Sequence, residues 1–528
     1  MPKQIYNDFS KGLAPYPGKV GGNGYFAEGR DVDIHRKYGY IIPGWSGTKV
    51  ASSTDSPYVL RRMPIDIVVD ASDYTGTPTA YMIDAIDPKI YIFSGLTSIA
   101  TTHSSGAGSS ENGNGITTGR IGIYTYLFYI TGDNIGVYGS LNTNLGSGNW
   151  QTNWLTTGGT ITKPANGAAL NSSNKHPYLW WNTYLWVADG NKLSRFDGQT
   201  GAAGTWIASA IALDLTWEIT ALFSTQNYIG ICAWKKVGTS LTDNSYNYNT
   251  ESAVFFWDGT SIAYNYKVPV DDNYIAQAYN KDGTIYLVTQ GKSEGASLRK
   301  MTDQGAEKLS AFKLDIGGTK YTFQMVGRPH GGYSQKLNSH AMDCFQNRLL
   351  MGMNTQDSGN KNFIFALGSP DSNSPEGFFQ PYSTVDTSTA SGSIGLVKQI
   401  DTGKIYVGYN NNNTYHLYIY STGYSTNAVY KACYTDMGQK VRINYIKVYF
   451  DALVSGDSAT VGIDVDYGTS HKLGIDSGNV SYGNDGAVTS KRFDKPIICH
   501  SFRPTIKWNS GGMAVSKIVI DYDFVDDL

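Results

Sequence analysis

In the stretch Tyr184–Asp189 (YLWVAD), Leu185 and Val187 fall on one side of an extended chain, Tyr184 and Trp186 fall on the other, and both sides are apolar. A strand of this kind has to be covered on both faces, whereas a sheet with one wet face alternates apolar and polar residues. Stacking each sheet radially between two neighbours provides that cover.

The pattern recurs along the chain: a short aromatic and β-branched run, a Gly/Asn/Asp turn, and a second such run. It is found at 80–93, 120–141, 178–198, 219–257, 274–301, 341–367 and 398–420. These make about seven units at intervals of roughly 45 to 65 residues, the spacing of four-stranded propeller blades with loop insertions. A parallel β-helix would show a shorter and more regular period. The low share of charged residues, 16%, and the abundance of Gly (60) and Tyr (39) fit many strands joined by many turns.

From about residue 430 the register changes. Ile446, Val448 and Phe450 oppose Lys447 and Asp451; Val461, Ile463 and Val465 oppose Asp464 and Asp466; Ile518, Ile520 and Tyr522 oppose Lys517, Asp521 and Asp523. Clean alternation predicts sheets with one solvated face. The expected fold is therefore all-β: a β-propeller of about seven blades over 51–428, followed by a C-terminal antiparallel β-sandwich over 429–528, with a polar boundary at 421–428. Residues 1–50 are Gly-rich and are expected to form an arm or the strand that closes the ring. The polar stretches 104–115 and 243–250 read as blade insertions.

The formal net charge of −2 supplies no general attraction to nucleic acid or to an anionic membrane. No apolar stretch reaches the ~18 residues of a membrane span, and the opening MPKQIYNDF lacks the apolar core of a secretory signal, so synthesis in the cytoplasm is expected. Cys232, Cys344, Cys433 and Cys499 are widely spaced and read as buried free thiols, with neither a disulfide framework nor a zinc site.

Reactive constellations are sparse. Asp84, Asp87, Asp189, Asp197, Asp258 and Asp282 sit at or beside turn signals, where the carboxylate bonds nearby backbone. His330, in the Gly327-Arg328-Pro329-His330-Gly331-Gly332 loop, is the most site-like histidine. Trp180, Trp181 and Trp186 could stack on sugar rings, although aromatics at strand spacing more often belong to a core. Asp464-Val465-Asp466-Tyr467-Gly468 and the acidic tail Asp521, Asp523, Asp526, Asp527 lack EF-hand spacing and read as a solvated face. No sialidase-type Asp box, nucleophile elbow or phosphate-binding loop is found. No catalytic residue, cofactor or metal site is assigned.

The segments Asn7-Asp8-Phe9-Ser10-Lys11-Gly12-Leu13, Arg30-Asp31-Val32-Asp33, and Gly39 with Ile42-Pro43-Gly44 resemble the opening of bacteriophage tail and virion-associated propeller proteins. Ser369-Pro370-Asp371 through Phe378, and Ser393-Ile394-Gly395-Leu396 leading into Lys404-Ile405-Tyr406-Val407, are similar to later segments of the same group. Lys11 stands where a second Gly is common, and Ile42 where an Arg often precedes Pro-Gly. The resemblance implies a virion structural protein, a nozzle-like ring at the tail tip whose copies surround the DNA exit channel and contact other tail proteins. Genomic DNA would then be a passing contact. Recognition of a host-surface glycan is the alternative, and glycan cleavage, which needs two converging carboxylates, a third.

Overall fold

The computed structural model describes residues 2–14, 25–37, 39–52, 60–70, 79–85, 87–95, 98–106, 112–140, 149–172, 174–199, 203–235, 251–272, 274–290, 295–302, 304–316, 319–325, 340–355, 361–369, 376–386, 392–401, 403–411, 414–420, 423–426, 428–467, 469–472 and 478–525. Among these the chain is all-β, with one short helix at Tyr482–Asp485.

Six four-stranded antiparallel sheets stand apart as propeller blades. The first holds Pro64–Val69, Thr79–Asp84, Lys89–Ser94 and Ser98–Ser104; the second Gly115–Ile121, Tyr124–Ile130, Ile135–Gly139 and Asn149–Gln151. The third holds Tyr178–Trp181, Tyr184–Asp189, Lys192–Asp197 and Thr205–Ala212; the fourth Trp217–Ser224, Ile229–Lys235, Ser252–Trp257 and Tyr266–Val270. The fifth holds Tyr274–Lys281, Thr284–Gln290, Ala296–Thr302 and Gly305–Ala311. The sixth combines Gly392–Asp401, Lys404–Asn411 and Thr414–Tyr420 with Gly47–Ser52, drawn from the other end of the chain.

The count differs from the seven expected. The unit read at 341–367 forms Met342–Phe345, Arg348–Thr355 and Lys361–Gly368, but these do not make a separate sheet. They run on through Gly377–Asp386, Gly12–Leu13 and Tyr25–Arg30 into the C-terminal strands, giving one sheet of sixteen strands. Periodicity reports which faces a strand buries, and says nothing of which edge its sheet extends from.

Stacking follows the two-faced strands. Leu185 and Val187 pack with Phe128, Ile130 and Trp154 of the second-blade region, while Trp186 and Ala188 pack with Trp217, Ile219 and Ile231 of the fourth. Each fully buried aliphatic or Phe side chain contributes about 1.5–3 kcal/mol. Two-residue hairpin turns join the inner two strands of several units, with left-handed backbone at Asn182 and Thr183 (φ 51° and 69°), Asp282 and Gly283 (51° and 85°), and Gln346 and Asn347 (49° and 63°).

In the C-terminal region the 21-residue strand Ser490–Ser510 changes partners near Phe502. Its first part pairs with Thr435–Phe450, and its last part lies between Val429–Ala432 and Ser458–Val465. Lys3–Tyr6 adds to the edge of Val515–Phe524. Two acids expected on a wet face are buried instead: Asp464 accepts a hydrogen bond from Arg503 Nε at 3.0 Å, and Asp521 accepts one from Asn444 Nδ2 at 3.0 Å. Their partners come from neighbouring strands, where alternation along one strand gives no signal. Of the four free cysteines, Cys232, Cys433 and Cys499 are buried and Cys344 is half-buried.

Candidate functional site on the propeller axis

The first strand of each blade lies nearest the axis, and Met342–Phe345 packs between the first strands of the fifth and sixth blades. One carboxylate gathers these elements. Asp66, fully buried on Pro64–Val69, accepts hydrogen bonds at Oδ1 from Lys398 Nζ (2.7 Å) and the Ile67 N–H (2.9 Å). Its Oδ2 accepts from Tyr178 OH (2.5 Å) and the Ile116 N–H (2.9 Å), with His340 Nε2 at 3.5 Å. The donors come from the first, second, third and sixth blades and from the segment leading into Met342–Phe345.

Burial alone would raise the Asp66 pKa, but the charges of His340 and Lys398 and the bonds from Lys398 and Tyr178 outweigh it and hold the carboxyl below its usual range. Burial lowers the pKa of His340. Two acceptors, Asp66 Oδ2 and the Asn114 carbonyl at 3.2 Å, face its Nε2, which places a proton on that nitrogen. An ionised carboxylate surrounded by this many donors has no lone pair left for general-base work. The arrangement is suited to clamping strands and to holding Lys398, 28% exposed, at the edge of a cavity.

That cavity, about 350 Å³, is lined by Tyr178, Trp180, Gln277, Tyr279, Asp343 and Lys398 among others. Tyr279 and Asp343 also belong to an open cleft of about 740 Å³, bordered by the Asp282 turn, the Gln346-Asn347 turn and Gln399. Asp343 is pushed up by burial, although its oxygens accept from the Gln399 N–H (2.8 Å) and the Cys344 N–H (2.8 Å). Asn280 braces the neighbouring turn, donating from Nδ2 to the Ser224 carbonyl (2.6 Å) and accepting the Gly283 N–H (3.0 Å).

The aspartates singled out in the sequence lie elsewhere, apart from Asp282. Asp84 is buried, accepting from the Lys89 N–H (2.6 Å) and Tyr91 OH (2.9 Å). Asp197 accepts the Gln199 N–H, Asp258 the Thr260 and Ser261 N–H groups, and Asp189 the Asn174 side chain; Asp87 meets Arg61. Trp186 is core, and Trp181 donates to the Thr225 carbonyl. His330 and its loop, the stretch 243–250, residues 107–111, Gly468, Asp526 and Asp527 fall outside the described residues. Among the described residues no group of three or more His, Cys, Asp or Glu is placed to hold a metal ion, and no helix is long and apolar enough to cross a membrane.

The axial group of Asp66, Tyr178, His340 and Lys398 was not found by sequence reasoning. Its members are scattered over the chain and form no local motif. The available signal was a single charge inside an apolar run: Asp66 in PIDIVV and Lys398 in GLVKQI.

No family model matches the chain, and no curated protein matches it. Solved structures give weak likenesses to propellers. Chaetomium thermophilum Raptor is 11% identical with a TM-score of 0.43, covering 73% of this chain, which spans only 30% of that one. The Myceliophteria thermophila Cps50 (Swd1) β-propeller domain is 7% identical with a TM-score of 0.39, covering 71% of this chain and 99% of that one. A glycoside hydrolase family 43 arabinoxylan arabinofuranohydrolase from Bacillus subtilis is 11% identical with a TM-score of 0.29, covering 91% and 99%. At these scores the likenesses carry no argument about function.

Proposed function

We propose that this chain is a non-enzymatic structural component of a tailed-bacteriophage virion, a tail or nozzle protein whose copies form a ring around the DNA exit channel and bind neighbouring tail proteins. It is made in the bacterial cytoplasm and resides in the virion. What supports the reading is the position of the segments that carry the family resemblance. Gly12 pairs with Phe378, Val32–Asp33 pairs with Ile42–Pro43, and Asp33 bonds Arg348. Phe9 meets Tyr430 edge-on at 5.6 Å between ring centroids. Segments far apart in sequence thus form one joint between the propeller and the C-terminal strands, where a load-bearing part needs stiffness.

In this reading the two sets of C-terminal strands that share Ser490–Ser510 are the faces of a sandwich, enclosing Val441, Ile443, Val461, Ile463, Ile506 and Ile518. The clamped Asp66 cluster gives the propeller rigidity. The cavity among the axis-nearest strands, about 350 Å³, is far too small for a duplex, so DNA passes between copies, along a neutral or acidic lining that does not retain phosphates. Electron cryomicroscopy of particles assembled with and without this chain tests the proposal. The expected result is ring density at the tail that is lost with the chain, together with incomplete tails or leakage of DNA; complete, infectious particles lacking it reject the idea.

A further inference from the structure

We infer that the open cleft beside the axis binds a short stretch of a neutral, hydroxyl-rich polysaccharide. The inference stands on the cleft alone and does not depend on the tail assignment. At about 740 Å³ the open cleft has room for more than one sugar ring lying along it, within the range of about 300–1,000 Å³ common to ligand sites.

Its lining selects the chemistry. Gln346, Asn347 and Gln399 bring primary amides, each both donor and acceptor, which is the capacity a sugar hydroxyl also has. Lys281 is opposed by Glu376 at 3.9 Å and by the exposed Asp282 next to it in sequence, so no excess of positive charge favours nucleic acid or another polyanion. With Ile400, Tyr279 and Cys344, about half of the lining is apolar, which matches the apolar ring faces between a sugar's hydroxyls, whereas a lipid-like occupant needs a predominantly apolar lining.

The backbone supplies a second observation. Asp282, Gln346 and Asn347, all on the cleft rim, hold the left-handed conformation that glycine adopts without strain. Gln is an unusual choice for the first central position of such a turn, where Asn, Asp or Gly is favoured. Asp282 and Asn347 suit this conformation, so Gln346 alone is kept against the local backbone preference, and its amide points to a requirement for a polar group at that corner of the rim.

The test uses the full chain in titration calorimetry with maltotriose, cellotriose, mannotriose and galactotriose, alongside the matching monosaccharides and a single-stranded oligonucleotide. At least one trisaccharide is expected to bind with Kd below about 10 mM and at least tenfold more tightly than its monosaccharide, which distinguishes a polymer stretch from a free sugar. The double variant Gln346→Gly, Asn347→Gly should lose at least tenfold in affinity while keeping or raising its Tm, because glycine suits both backbone positions. Gln399→Ala should lose at least threefold. Absence of trisaccharide binding, equal binding of the monosaccharide, tighter binding of the oligonucleotide, or undiminished affinity in the glycine variant would each overturn the inference.

Discussion

Arg348 and Asp33, 315 residues apart in the chain, meet in a buried ion pair with Nη1 2.9 Å from Oδ2. Asp33 also accepts the N–H groups of His35 (2.8 Å) and Arg36 (3.1 Å) at its other oxygen. One side chain therefore shapes the N-terminal turn and fastens it to the strand Arg348–Thr355.

Asp33→Ala leaves the Arg348 guanidinium buried without its carboxylate and should cost about 3–5 kcal/mol. Adding Arg348→Met should restore most of the loss, since an apolar replacement no longer needs a counter-charge. Urea unfolding of the parent chain and the two variants measures both effects, and a double variant no more stable than Asp33→Ala would contradict the assignment.

The axial carboxylate gives a pH dependence of definite sign. The Asp66 pKa is lower in the folded chain than the ordinary value of about 3.9, so its contribution is present above about pH 4 and is lost as the pH falls through the folded value. Lys398→Met removes one of the charges that outweigh burial. The acid-unfolding midpoint, followed by tryptophan fluorescence, should move to higher pH in that variant, and an unchanged midpoint would show that the clamp does not hold the axis.

Asp84 has the opposite sign. Burial pushes its carboxyl up to about 7, against the bonds from the Lys89 N–H and Tyr91 OH. A carboxyl raised above its unfolded value contributes stability at low pH and loses it as the pH rises from about 4 through 7. Asp84→Asn keeps an acceptor for the Lys89 N–H and can donate to the Tyr91 oxygen. It should leave Tm nearly unchanged at pH 4 and raise it at pH 8, by on the order of 2 kcal/mol in stability.

Gly12 has φ of 72°, and a Cβ there would lie 2.1 Å from the Phe378 carbonyl oxygen. Gly12→Ala should cost about 2–3 kcal/mol through strain and overlap. Amide exchange should rise first along Gly12–Leu13 and Tyr25–Arg30, whereas uniform loss of protection would point to a different weak link.

Much of the propeller could be read in advance because its physics is local. Leu185 and Trp186 announce opposite buried faces within two residues, and the turns between strands carry Asn, Asp or Gly. The merger of Met342–Phe345 and its neighbours into the large sheet could not be read this way, because it depends on an edge meeting Gly12–Leu13 from the far end of the chain. Asp66 escaped for a related reason. A charged residue in an apolar strand is a visible anomaly, but its meaning lies in Tyr178, His340 and Lys398, whose approach is set only by closing the ring. Asp464 and Asp521 were misread as solvated because Arg503 and Asn444 reach them from adjacent strands.

The sixth blade takes its outer strand, Gly47–Ser52, from the beginning of the chain and its other three from 392–420. During translation that early strand emerges long before any of its partners exist. The circle is thus latched only after about 360 further residues have been synthesised, and a ribosome stalled before that point would leave an open horseshoe whose end blades each bare an apolar face, with Gly47–Ser52 an unpaired strand ready to associate with other chains.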